Sequence, residues 1–478
     1  MAVKMQKLYL FAVIIFGIFH WLNFYLLTAS PKSLSWELKN FTVNDWRKET
    51  MYLEVLHDSV ENRILPFKVP NLKEVFMVKD NFLGAPIWSM VPQYFLMAFL
   101  SPMLAIITNH LLMFGVGCWG LWLLAHKYQL GAGSFWLMAI IFNLNGYFVE
   151  KVTAYGPGQM GYYFLPLFFY TLFKIHDANQ LSVRKQWYEG TMMGLILAGI
   201  LFQGSLHIYV EAITFLIFFA ILRRCLWGFL LVSLVTTFAL GMVRLLPAAM
   251  TFGHQANVHS NWGYLNPIKV FKAMLVIYHA SNNPPANGWW EWSFYISLFG
   301  LVLLLIFGFM PLFRKKEWVI LKNWGAFYLP FYVFIIISFW KFRKFIIPDV
   351  IPLLNAESWP SRYIIFPVLL LTIIAAINLE GFWRSIKSSL LKGTLICTLA
   401  LLTLSLLKHS WFWRMHYAQN AFEQALQQEA IKFDTIHLTI SSHYSVSLYT
   451  WSFWIGLWCS ILTFLFCCLW LWRQKRRA

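Results

Sequence analysis

Apolar runs of about 20 residues, bounded by charges, glycine and proline, follow one another along nearly the whole chain. A lipid interior offers no hydrogen-bond partner to an open backbone, so runs of this length predict spanning helices. They fall near 8–28, 103–125, 134–150, 158–175, 188–204, 205–222, 226–250, 292–313, 318–340, 362–380, 391–408 and 449–472. Gln203, Gly204, Ser205 and His207 interrupt the stretch 188–222, which fits either two short helices or one long tilted helix. The first run, Leu8 to Leu27, is long and aromatic and lacks a small-residue cleavage site, so it reads as a retained helix. The expected fold is all-α, a polytopic transmembrane bundle of about twelve spans. It forms a single transmembrane domain over 1–478, without internal repeat or soluble domain.

Composition agrees: 59% hydrophobic against 12% charged residues gives more apolar surface than one soluble core could hide. The formal charge of +18 raises nucleic acid as a partner, but the basic residues are scattered singly or in small groups between apolar runs. That distribution suits membrane flanks and argues against a nucleic-acid stripe. With twelve spans and both termini cytoplasmic, the segments around Lys127, Lys174 to Lys185, Arg223, Arg314, Arg384 and the tail from Arg473 fall on one side and are strongly basic. The segments on the other side are nearly neutral, as the positive-inside rule expects. Many of the 25 tryptophans lie near predicted helix ends, where an amphipathic ring prefers the headgroup zone. The six cysteines lie in apolar stretches without ligand-like spacing and predict neither disulfides nor zinc.

Four outer segments are long enough to carry a site: 29–91, 251–291, 341–361 and 409–448. In the first, Trp46, Leu53, Leu56, Val60 and Ile64 recur at helical spacing and predict an amphipathic surface helix from Asp45 to Arg63. A second is predicted near 421–433. Asp45 and Glu49, four residues apart, share one face of the first helix. There Asp45 is either a helix cap or a carboxylate able to accept a proton from an attacking hydroxyl. Among the later cations, Lys341, Arg343, Lys344 and Arg362 are candidates to seat a phosphate at the bilayer edge; headgroup anchoring is the plainer reading for Lys341 to Lys344 and an equal alternative for Arg362. Arg362 stands out because Trp-Pro-Ser before it should fix the start of the next helix. Glu150 and Glu291 border apolar runs, where charge is costly. Glu291, within Gly-Trp-Trp-Glu-Trp, either holds an acceptor sugar or favours a helix N-terminus; Glu150 is expected to pair locally with Lys151. No histidine spacing matches a compact metal motif, and no Walker, nucleophile-elbow or His-Glu-x-x-His pattern occurs. No cofactor is evident; a carboxylate-bound divalent cation stays open.

Taken in order, several short motifs carry a resemblance. They are Asp45 followed by the close Ile64-Leu65-Pro66-Phe67, then Gly84-Ala85-Pro86-Ile87-Trp88, then Asn145-Gly146-Tyr147-Phe148 and Leu165-Pro166-Leu167. Glu291 with Tyr295-Ile296, and Pro360-Ser361-Arg362, complete the series. The chain resembles the GT-C superfamily of polytopic membrane glycosyltransferases, and within it the bacterial YfhO-like membrane proteins. It departs from them at Gly156-Pro157, where relatives often carry Gly-His.

The resemblance implies a protein of the bacterial plasma membrane that transfers a sugar, with inversion, from a polyprenyl-phosphate-linked donor to an extracytoplasmic glycan, lipid or protein acceptor. It implies Asp45 as the base, Glu49 in support, and Arg362 with Arg343 or Lys344 at the departing lipid phosphate. Two other readings stand beside it: a multi-pass transporter or lipid flippase, and a structural membrane partner. The flippase expects repeated halves and midplane charges, whereas here the acids concentrate in the first outer segment.

Overall fold

A computed structural model describes residues 2–28, 56–57, 59–63, 93, 96, 99–178, 182–221, 223–252, 263–277, 291–313, 325–339, 360–414 and 447–477. These residues are overwhelmingly helical; the β-type pairing among them is an isolated bridge between Tyr264 and Phe339. The helices are α1 (Ala2–Thr28), α2 (Pro102–Lys127), α3 (Ala132–Leu144), α4 (Gly146–Tyr155), α5 (Leu165–Asp177), α6 (Val183–Phe202) and α7 (Leu206–Ile221). They continue as α8 (Trp227–Phe252), α9 (Pro267–Leu275), α10 (Ser297–Phe313), α11 (Gly325–Ser338), α12 (Ile365–Ser385), α13 (Ser389–Phe412) and α14 (Ser447–Arg477).

Among the described residues, 7 helical segments are long and apolar enough to cross a membrane, and three more apolar helices, in α7, α10 and α11, are shorter. The described residues therefore form an all-α bundle built for a lipid bilayer. Burial sorts the helices. The segment through α12 is 94% buried, whereas the segments in α13 and α14 are 22% and 17% buried and yet equally apolar. Apolar side chains such as Trp451, Ile455, Trp458 and Leu462 are exposed along α14, an arrangement stable only where lipid replaces water. The central helix α12 packs on α3 and α10, while α8 packs between α6 and α14.

The stretch 188–222 resolves into two helices. Gly204 takes φ +82 between them, a backbone conformation that glycine adopts without steric cost. The predicted third span is likewise two helices, α3 and α4, joined at Asn145. Asn145 is extended, with φ −64 and ψ 154. Its Nδ2 donates to the Ile141 carbonyl at 2.8 Å and to the Tyr162 hydroxyl at 2.8 Å, and its Oδ1 accepts from the Phe148 amide at 3.1 Å. One side chain thus closes α3 and caps α4. The freed Gly146 amide donates to the Tyr295 carbonyl at 2.8 Å. A Cβ on Gly146 would lie 2.8 Å from Cβ of Tyr295 and closer still to its backbone. Gly146→Ala should therefore lower the unfolding free energy by about 1–3 kcal/mol, the usual penalty of overpacking, read from equilibrium unfolding of the detergent-solubilised protein.

Side-chain bonds gather helix termini into two opposite ends. At one, Gln6 reaches the Leu130 carbonyl at 3.3 Å, Lys127 pairs with Asp177 at 2.6 Å, and Glu380 accepts from the Gly131 amide at 2.7 Å. Arg384 adds bonds to Glu380 at 2.8 Å and to the Gln129 carbonyl at 2.6 Å. At the other end lie His20, Glu150, Lys151, Glu291, Arg362, His409 and Ser410, described next. α1, α12 and α13 each run from one set to the other, and α3 and α4 together do so as one span.

Of the amphipathic helix expected over 45–63, residues 56, 57 and 59–61 are described and helical, with Leu56 buried and Val60 against the core. Asp45, Glu49, Arg343, Lys344 and the helix expected over 421–433 lie outside the described residues.

Candidate functional site

Glu291 does not begin a helix. It sits in a turn six residues before α10, and 293–296 are not helical, with the Phe294 and Ile296 amides bonded to the Ala273 and Met274 carbonyls at 2.9 and 3.0 Å. A helix dipole acts over about one turn, so the dipole reading of Glu291 does not fit this geometry. Its carboxylate instead receives two cations. Arg362 grips it with a fork, Nε to Oε2 at 2.9 Å and Nη2 to Oε1 at 2.6 Å, while Lys151 Nζ bonds Oε2. The three side chains are 1%, 5% and 1% exposed for Glu291, Arg362 and Lys151, so this is an ion cluster shut off from water.

Local sequence explains each placement. Pro360 opens a short 3-10 turn, Pro360–Ile364, that feeds α12 and turns Arg362 inward; Ser361 Oγ donates to the Glu291 carbonyl at 2.7 Å and locks the two segments together. Lys151 stands on α4, whose start is fixed by Asn145 and Gly146. Burial alone would push the Glu291 carboxyl upward, but the Arg362 and Lys151 charges and their hydrogen bonds outweigh it and hold the carboxyl below the ordinary glutamate range. Glu291 is therefore a fixed anion that aims two cations, and a poor proton acceptor.

Glu150 does not pair with its neighbour. Consecutive helical residues leave the axis about 100° apart, so Lys151 turns to Glu291 and Glu150 turns to α13. There Glu150 Oε1 meets His409 Nε2 at 3.0 Å with both side chains fully buried, which places the imidazole proton on Nε2 when the carboxyl is ionised. The His409 ring stacks on Tyr295 at 4.5 Å, with 13° between planes. The Ser293 hydroxyl lies near the Glu150 carboxylate without meeting hydrogen-bond geometry.

Of the residues singled out in the sequence, the fold thus unites Glu291, Arg362 and Glu150 at one end of the bundle. It adds His409, which the sequence did not single out, gives Lys151 a partner other than the Glu150 expected, and makes Ser361, noted only within a motif, a tie between two segments. His409 belongs to the last turn of α13, whereas the apolar run was drawn to stop at 408. A polar residue closing an apolar run was the signal available. Among the described residues, no three His, Cys, Asp or Glu side chains gather as a metal site. Comparison with known protein families, with curated proteins and with solved structures finds no match for this chain.

Proposed function

We propose that this chain is a polytopic membrane glycosyltransferase of GT-C type, working at the bundle end that holds Glu291. Sugar would pass from a polyprenyl-phosphate carrier to a glycan, lipid or protein acceptor. The observation that carries the reading is the buried Lys151–Glu291–Arg362 cluster. Moving charge out of water costs several kcal/mol per ion, and two cations held rigidly at a helix boundary suit a substrate that is itself a phosphate at the bilayer edge. We take this end as extracytoplasmic in a bacterial plasma membrane, with about twelve spans and cytoplasmic termini. The opposite end carries Lys127, Lys174, Arg184, Arg384 and the basic tail, the distribution the positive-inside rule favours for the cytoplasmic face.

In the reaction, an acceptor hydroxyl oxygen attacks the anomeric carbon from the face opposite the phosphate. The bond from that carbon to the phosphate oxygen breaks, and the hydroxyl proton goes to a carboxylate. Glu291 is held as an anion by its cations, so the base is a different acid, and Asp45 with Glu49 takes that role by resemblance. Arg362 and Lys151 stabilise charge on the leaving phosphate, with Arg343 or Lys344 in support.

The test uses purified protein in vesicles with a radiolabelled polyprenyl-phosphate sugar and a hydroxyl acceptor. The expected result is labelled product and released lipid phosphate in equal amounts. Labelled lipid that crosses the bilayer intact, with no phosphate released, would instead establish the transporter or flippase reading.

A further inference from the structure

Beyond the ion cluster, the same bundle end holds a third cation, for which no ion pair is found among the described residues. Arg414 follows α13 and is 4% exposed, yet its Nε and Nη2 are buried without a hydrogen-bond partner. Its guanidinium lies over the lipid-exposed Trp411 ring at 4.3 Å. A cation over an aromatic face gains about 1–2 kcal/mol, well short of what desolvating a guanidinium costs. Burial lowers its pKa only to about 10, so it stays charged at neutral pH. A buried, charged guanidinium with two nitrogens lacking acceptors calls for an anion.

An apolar crease leads away from that charge. Arg414 acts electrostatically on His20, whose ring nitrogen Nε2 bonds Ser410 Oγ at 3.2 Å. His20 closes one end of a narrow crevice between α1 and α3 that also touches Phe16 and Trp136. Val13 and Trp136 continue that crevice into an open groove of about 360 Å³ between α1, α3 and α13, floored by Ala12, Gly133 and Leu399. The groove wall is almost wholly apolar. From Tyr9 to His20 the crease follows α1 for eleven residues, about 17 Å at helical rise, which is roughly the depth of one leaflet of a 30 Å hydrocarbon core.

We propose that this crease holds one chain of an anionic phospholipid from the surrounding bilayer, with its phosphate bound by Arg414 beside His20. Charge selects the head and the apolar groove takes the tail. The ligand differs from the glycosyl donor: it is a resident lipid, and its site does not require the transferase reading.

The experiment compares wild type with Arg414→Gln, Ala12→Phe and the control Lys387→Gln, an exposed cation elsewhere on the surface. Each is purified in detergent, supplied with phosphatidylglycerol, phosphatidylcholine or polyprenyl phosphate, and examined by native mass spectrometry and thermal unfolding. Wild type and Lys387→Gln should retain phosphatidylglycerol over phosphatidylcholine, and Arg414→Gln should bind it about tenfold more weakly, the loss of one charge-assisted contact. Ala12→Phe should weaken both phospholipids by filling the groove. Without added lipid, Arg414→Gln should be at least as stable as wild type, because it removes an unsatisfied charge. Equal retention of the two phospholipids, unchanged binding by Arg414→Gln, or a lipid-free loss of stability in that variant would overturn the proposal. So would selective retention of polyprenyl phosphate alone, which would hand the crease to the donor.

Discussion

Glu291→Gln is expected to lower the unfolding free energy by about 3–5 kcal/mol, because it strips the counter-charge from two buried cations at once. Glutamine keeps the size and one acceptor oxygen, so the loss would be electrostatic and not a packing defect. Equilibrium unfolding in detergent measures it. Adding Lys151→Met to Glu291→Gln should recover part of the loss, since one buried cation then remains where two stood. An unchanged midpoint in the single variant would mean that water reaches the cluster. The pH dependence has a definite sign. The folded Glu291 carboxyl titrates below its ordinary value of 4.5, so its stabilisation is complete above about 4.5 and is lost as pH falls through the lower folded value. Glu291→Gln should flatten that acid limb.

The helices were legible because lipid imposes a length on every apolar run, and the boundaries of α2, α8 and α13 fall within a few residues of those drawn from sequence. Legibility stopped where the backbone departs from a plain helix. The bonds by which Asn145 closes α3 and caps α4 are local, but those that fix the junction run to Tyr162 and, from Gly146, to Tyr295, and the spacing of 134–150 does not show them. The same limit governed the site. Glu150, Glu291 and Arg362 could be selected because charge near an apolar run is conspicuous. Their partners could not, because pairing depends on which way each side chain leaves its helix. Glu150 and Lys151 illustrate this: adjacency in sequence suggested a pair, and helical rotation sends one to His409 and the other to Glu291. Arg414 has no signature in the order of residues for a further reason: the burial of its Nε and Nη2 without acceptors is a property of the packed bundle.

The contrast between Arg362→Lys and Asp45→Asn separates scaffold from chemistry. Lysine at 362 keeps the positive charge but offers a single nitrogen where arginine presents a planar fork, so it cannot reproduce both bonds to Glu291 and still hold a fixed direction. The expected loss of stability is about 1.5–3 kcal/mol, that of one hydrogen bond to a charged group. Sugar transfer in vesicles should fall further, by about 10²–10³, because stabilising a departing phosphate depends on donors placed in advance. On the proposed reaction, Asp45→Asn should keep the folded protein at normal levels in the membrane and lower transfer by about 10²–10⁴ through loss of the proton acceptor. If Arg362→Lys costs stability while the remaining folded protein turns over at the wild-type rate, Arg362 is a strut for Glu291 and the phosphate must be met by another cation. Because the fork already spends Nε and Nη2 on the carboxylate, any role at the phosphate falls to the opposite edge of the same plane. A lysine has no second edge, which is why the substitution reads the chemistry and not merely the charge.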